Sequence, residues 1–184
     1  MKNETALILI DIQIDYFPNG NMELSEPEKA SLNAKKILEK FRKKHLPIIH
    51  IQHQSLAPGS TFFIPETKGV EIHKNVAPLT GEKIVIKHFP NSFRETNLLQ
   101  TLQEKGIKNL IICGMMTHMC VDATTRAAKD FGFDCVVIGD ACATRDLEIN
   151  SEKVEASEVH KSFLAALNYF YSEVTNTEDF LERN

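Results

Sequence analysis

Short apolar runs alternate along the chain with longer segments in which apolar residues recur every three or four positions. The runs at 6–10 (ALILI), 47–52, 83–86, 109–113 and 134–138 read as strands, and a sixth falls near 172–175. ALILI and LIIC carry no polar alternation, the mark of strands covered on both faces in a parallel sheet. Between them, the segment 25–45 places Ala30, Ala34, Ile37, Leu38 and Phe41 on one helical stripe, with Ser25 and Glu28 spaced as a capping box. Ser92 and Glu95 repeat that spacing ahead of Leu98, Leu99 and Leu102, and Gly106 stands where a helix stops. A third helix starts near Thr117, carries Val121, Thr124, Ala128 and Phe131 at helical spacing, and ends at Gly132; a fourth spans 151–171. Strands alternating with helices in this way predict an α/β domain around a parallel sheet. The segment 54–81 has no period and holds Pro58, Gly59, Pro65, Gly69, Pro78 and Gly81. A connection of that length inside a compact domain is uncommon unless it is functional.

The 184 residues, 42% of them hydrophobic, are enough for one substantial core, so a single domain over 1–184 is expected. A net charge of -4 without a basic cluster excludes the usual nucleic-acid and membrane-surface partners and leaves a small molecule as the expected ligand. The chain opens MKNET before a five-residue apolar run, too short for a signal peptide or a membrane span, which predicts a cytoplasmic protein. Cys113, Cys120, Cys135 and Cys142 contain no CxxC pair. Free thiols are therefore expected, with neither a disulfide framework nor a zinc ribbon.

In open α/β sheets ligands bind beyond the carboxyl ends of the strands, so polar residues just after strand runs are the first candidates for chemistry. Asp11 follows ALILI, Lys87 follows KIVI, and GMMTHMC follows NLIIC. Cys120 falls in the first turn expected for the third helix, where unpaired backbone N–H groups and the helix dipole favour a thiolate. A carboxylate from Asp11 would take the thiol proton and the Lys87 ammonium would stabilise the anion. Singly, each residue has a plainer reading: a loop cap for the aspartate, a solvated charge for the lysine, a small core residue for the cysteine. That plainer reading suits Cys113 and Cys135, on strands, and Cys142, in a loop. The coincidence of three complementary groups at strand ends favours the functional reading for Asp11, Lys87 and Cys120.

The segments ALILIDIQIDYF, KHFPNSF and CGMMTHMCVDATTRAAKDFGFDCVVIGDACAT resemble the isochorismatase-like cysteine hydrolases, in order and across almost the whole chain. The resemblance implies a Rossmann-like three-layer α/β/α sandwich around a mostly parallel six-stranded sheet. It assigns the catalytic aspartate, lysine and nucleophile to Asp11, Lys87 and Cys120, and the cysteine points to the thiol-using branch, since true isochorismatases lack it. It also implies a cis peptide between Met115 and Met116, with the N–H groups of Met116 and Cys120 as the oxyanion hole. The reaction implied is hydrolysis of a carbon-nitrogen bond in a small amide, ureide or carbamoyl compound through a thioester, without a cofactor and in a homo-oligomer. Nicotinamidases of the family carry an Asp and His metal site after the second strand; here the sequence is IQHQS, which argues against a bound metal and against nicotinamide. Gln13, Phe17, Phe62, Phe89, Phe93 and His118 are candidates for the substrate pocket, while His160 has the spacing of a satisfied core histidine. A nicotinamidase, a catalytically idle binding protein and a thiol redox sensor remain as alternatives.

Overall fold

The computed structural model describes residues 4–183; Met1–Asn3 and Asn184, the ends of the expected 1–184 domain, lie outside the described residues. Strands β1 (Thr5–Ile10), β2 (Ile48–His53), β3 (Lys83–Lys87), β4 (Asn109–Met115), β5 (Asp134–Ala143) and β8 (Glu173–Thr175) form one sheet in the order β3-β2-β1-β4-β5-β8, every pairing parallel. The six expected strands are all present. Side chains alternate between the two faces of the sheet, and both faces are covered, which is why β1 is apolar at nearly every position. Leu7 and Leu9 face α1 (Pro27–Lys43), whose Ala34, Ile37, Leu38 and Phe41 are completely buried. Ile8 and Ile10 face the opposite cluster, to which α2 (Leu98–Glu104), α3 (Asp122–Asp130) and α4 (Ala156–Phe170) contribute Leu98, Leu102, Ala128 and Leu167. A final helix, α5 (Thr177–Arg183), packs beside α1 and carries no sequence signal recognised above.

Several element boundaries differ from expectation, and at Ser25 and Ser92 a tertiary contact takes the residue concerned. Ser25 does not cap α1: the N-cap is Glu26, without a side-chain capping bond, and the Ser25 amide donates to the Thr144 carbonyl at 2.8 Å. Ser92 does not start α2, which begins six residues later; its hydroxyl and amide both bond the Thr124 hydroxyl on α3, at 2.8 and 3.0 Å. The third helix opens with a π-helical turn, Thr117–Val121, before regular α3. The fourth starts at Ala156 rather than 151, because a short hairpin of β6 (Leu147–Ile149) and β7 (Glu152–Val154) occupies the approach. β5 runs five residues past 138, so Cys142 lies on a buried strand and not in a loop.

The irregular segment after β2 is tied down to the turn after β1. Asp15, 3% exposed, accepts the Phe63 amide at 2.6 Å, the Glu71 carbonyl accepts from the Ile14 amide, and the Ile12 carbonyl accepts from the His73 amide. Strand order reverses at β1: the chain builds β2 and β3 on one side, then β4, β5 and β8 on the other. The reversal falls between β1 and β4, and open α/β sheets generally bind their ligands beyond the strand ends at such a switch point. There Gly114 has φ of +136°, and a Cβ on it would overlap the Ile10 backbone of the neighbouring strand. Gly114→Ala is expected to lower stability by at least ~2 kcal/mol in urea denaturation, through strain and a backbone clash that no rotamer relieves. A loss below about 0.5 kcal/mol would show that β1 and β4 separate freely at this level.

Candidate active site

Three segments bring their polar residues to the carboxyl edge of the sheet. Asp11 leaves β1 with φ of +50°, a left-handed conformation that aspartate tolerates better than most residues. Lys87 closes β3, two strands from β1, a separation on the order of 10 Å at the usual spacing between strands. A long side chain is needed to cross β2, and Lys87 does so: its ammonium stands 2.7 Å from Asp11 Oδ2. The π-helical turn after β4 brings the Cys120 sulfur to 3.3 Å from the same ammonium. Asp11 and Lys87 are fully buried and Cys120 is 3% exposed. The peptide bond between Met115 and Met116 is cis.

The ammonium has further partners. It donates to His53 Nδ1 at 3.0 Å and to the Phe89 carbonyl at 3.0 Å, so four acceptors surround three hydrogens. Burial alone would push the lysine pKa down, but the Asp11 carboxylate and Cys120 sulfur outweigh it and the net shift is upward. Burial raises the Cys120 thiol, the Asp11 carboxylate raises it further, and Lys87 only partly opposes them. This overturns the expectation that the turn lowers the pKa of Cys120: desolvation and a neighbouring anion exceed the dipole and the cation. At rest the sulfur is a thiol beside a carboxylate whose Oδ1 takes no hydrogen bond among the described residues. Cys135 and Cys142 are likewise pushed up by burial, both to about 12, and Cys113 is raised well above its usual value.

The pocket candidates divide. Gln13 is buried and structural: its amide donates to the His53 and Val70 carbonyls, and its carbonyl accepts the His53 amide at 2.8 Å. Phe17 stacks on His73 with centroids 3.7 Å apart. Phe62 packs at the edge of Phe63, Phe89 receives the Arg94 guanidinium on its ring, and Phe93 is buried beside Phe131 and Phe133. His118 bonds the Thr144 hydroxyl at 2.5 Å and lies edge-on to Phe163. His160 bonds the Thr117 hydroxyl at 2.9 Å, in line with a satisfied histidine.

Two further residues stand close to Asp11 and Cys120: Tyr16, which sequence reasoning passes over, and His53, which it weighs only as a lone and weak metal ligand. Tyr16 is 1% exposed, and burial, Cys120 and Asp11 raise its phenol pKa in that order. His53 pairs in register with Lys87 and lies on β2, the strand between Lys87 and Asp11, which is the signal that identifies it once the sheet order is known. Ligating atoms of Asp11, His53 and Cys120 lie within 4.8 Å of one another, a spacing that suits a metal. The Lys87 ammonium contacts all three, however, so the cation of this site is the lysine itself, and the donor set does not fit a metal without expelling it.

A family model described as the Isochorismatase domain matches residues 5–179. The chain is 52% identical over 178 residues to the uncharacterized isochorismatase family protein YddQ of Bacillus subtilis (strain 168), covering 97% of this chain and 99% of that one. It is 24% identical over 184 residues to the ureidoacrylate amidohydrolase RutB of Acinetobacter baylyi, covering 98% of this chain and 67% of that one. A solved structure from Oleispira antarctica, described as an isochorismatase hydrolase, superposes with a TM-score of 0.95 at 44% identity, covering 99% of this chain and 98% of that one.

The buried pair makes a stability prediction independent of catalysis. Lys87→Met leaves the Asp11 carboxylate buried without its cation and is expected to cost about 3–5 kcal/mol in urea denaturation at pH 7. The double variant Asp11→Asn with Lys87→Met should recover most of that loss. Equal destabilisation of the single and double variants would show that lost packing, and not the orphaned charge, sets the cost.

Proposed function

The chain belongs to the isochorismatase family of hydrolases, and from that premise we propose that it is a cysteine-dependent hydrolase of a carbon-nitrogen bond in a small amide, ureide or carbamoyl compound. The observation that carries this reading is one ammonium in contact with a buried carboxylate and a buried thiol. The similarity to an amidohydrolase supports the bond class. Cys120 transfers its thiol proton to Asp11 as the sulfur attacks the substrate carbonyl carbon. The oxyanion that forms is met by the backbone N–H groups of Met116 and Cys120. The carbon-nitrogen bond then breaks, the proton held by Asp11 passes to the departing nitrogen, and ammonia or an amine leaves a thioester on Cys120. Water attacks the thioester, Asp11 accepts its proton, and return of that proton to sulfur releases the acid and restores the thiol. Lys87 pairs with the Asp11 carboxylate and offsets the charge that grows on sulfur.

A single domain over 1–184 and a small-molecule substrate belong to the same reading, supported by the span of the family match. So does homo-oligomeric assembly, supported by Tyr169 and Phe170 at the end of α4, which are 92% and 66% exposed. No helix among the described residues is long and apolar enough to cross a membrane.

The test is a panel of small amides, ureides and carbamoyl compounds, nicotinamide included, scored by ammonia or amine release. Wild type is expected to turn over at least one member and to show an acyl mass increment on Cys120 when quenched in acid. Cys120→Ala should lose turnover completely, and Asp11→Asn should lose ~10²- to 10⁴-fold, the usual contribution of a positioned general base. Turnover that survives in Cys120→Ala would overturn the nucleophile assignment. Oxidation of Cys120 without turnover of any panel member would favour a redox sensor instead.

A further inference from the structure

His53 is held more firmly than a pocket-lining residue needs to be. Gln13 binds its backbone from both sides, donating to its carbonyl at 2.9 Å and accepting its amide at 2.8 Å. Lys87 donates to its ring at Nδ1. An ammonium has no lone pair to give, so Nδ1 must be the bare nitrogen and the imidazole must carry its hydrogen at Nε2. Asp11 Oδ2, 3.9 Å from Nδ1, is too far to compete for that nitrogen. No protein group among the described residues takes a hydrogen bond from Nε2, although 14% of the side chain remains exposed. A ring nitrogen of His53 also lies within 4.8 Å of the Cys120 sulfur. Burial, with the neighbouring ammonium, lowers the His53 pKa to about 4 against the opposing pull of Asp11, so the ring is neutral and keeps one donor.

We propose that His53 is a substrate-contacting residue: Lys87 fixes its tautomer, and its Nε2–H donates to an electronegative atom, such as an amide oxygen, on the compound bound at Cys120. The inference rests on Cys120 being the nucleophile. The division of labour within the ring is specific. Nδ1 serves the ammonium that links Asp11 to Cys120, and Nε2 serves the ligand, so the residue couples substrate binding to the charge arrangement without itself exchanging a proton.

Two alkylating probes separate the roles. Iodoacetamide carries an amide oxygen able to accept from Nε2–H; methyl iodide carries no acceptor, and both form a carbon-sulfur bond with loss of iodide. Rates at Cys120 are read by peptide mass mapping in wild type, His53→Asn, which keeps an acceptor near Nδ1, and His53→Gln, which keeps a donor near Nε2. His53→Asn is expected to slow iodoacetamide roughly 3- to 10-fold, the effect of one neutral hydrogen bond, while changing the methyl iodide rate less than about 2-fold. His53→Gln should return the ratio of the two rates toward wild type even if both fall together through Lys87. Equal slowing of both probes in His53→Asn, or no slowing of either, would overturn the substrate contact. Resistance of wild-type Cys120 to both probes would instead remove the nucleophile reading, and this inference with it.

Discussion

Everything at the carboxyl edge of this sheet is arranged around one buried ion pair, Asp11 with Lys87. Both side chains are fully removed from solvent, and an ion taken out of water costs several kcal/mol even after relaxation. Such a pair persists only where close geometry and additional acceptors offset that cost. The ammonium finds the carboxylate at 2.7 Å, and the His53 ring, the Phe89 carbonyl and the Cys120 sulfur complete its surroundings. The surroundings are held in turn by contacts further out. Gln13 fixes His53, the π-helical turn fixes Cys120, and Asp15 ties the long irregular segment to the turn after β1 through Phe63. The polar residues of ALILIDIQIDY thus divide between the ion pair at Asp11 and anchoring at Gln13 and Asp15.

Sheet order explains why a lysine does this work. The partner of Asp11 comes from β3, with β2 between them, and a side chain of four methylenes ending in an ammonium is long enough to span that gap. The strand in between contributes His53 at the level of Lys87, so the lysine passes an acceptor on its way. Gly114 allows β4 to approach β1 closely enough for the turn behind it to deliver Cys120 to the same point.

The strands were legible because burial on both faces leaves unbroken apolar runs, and Asp11, Lys87 and Cys120 were legible because each sits at or just beyond the end of such a run. Helix starts were less legible. Ser25 and Ser92 have the residue spacing of capping boxes, but Thr144 and Thr124, distant in sequence, claim their polar groups. The hairpin of β6 and β7 consists of two three-residue strands with mixed charge, too short to show a period, and α5 is only two turns long. His53 reads from the sequence only as a weak metal ligand, because a lone histidine acquires meaning from what surrounds it, and its surroundings are set by strand pairing rather than by spacing along the chain. Tyr16 was passed over because an apolar body within an apolar stretch reads as core.

The electrostatics of Cys120 carry a different lesson about what selects a nucleophile. Sequence reasoning counts a helix start, a nearby lysine and Asp11 as a proton acceptor, all three as favouring a thiolate. Burial and the Asp11 carboxylate act in the opposite direction and prevail, so Cys120 shares a raised pKa with the three other thiols. Acidity therefore does not distinguish it. The distinction is a proton acceptor: only Cys120, among the four, has a carboxylate close by with an oxygen free of hydrogen bonds and an ammonium in contact with both groups. On the proposed mechanism, proton transfer from sulfur to Asp11 becomes favourable only as the carbon-sulfur bond to a substrate forms, so a raised thiol pKa and a nucleophilic role are compatible. Under that mechanism the same raised pKa would slow oxidation, which needs the thiolate, while leaving the thiol competent toward a bound carbonyl.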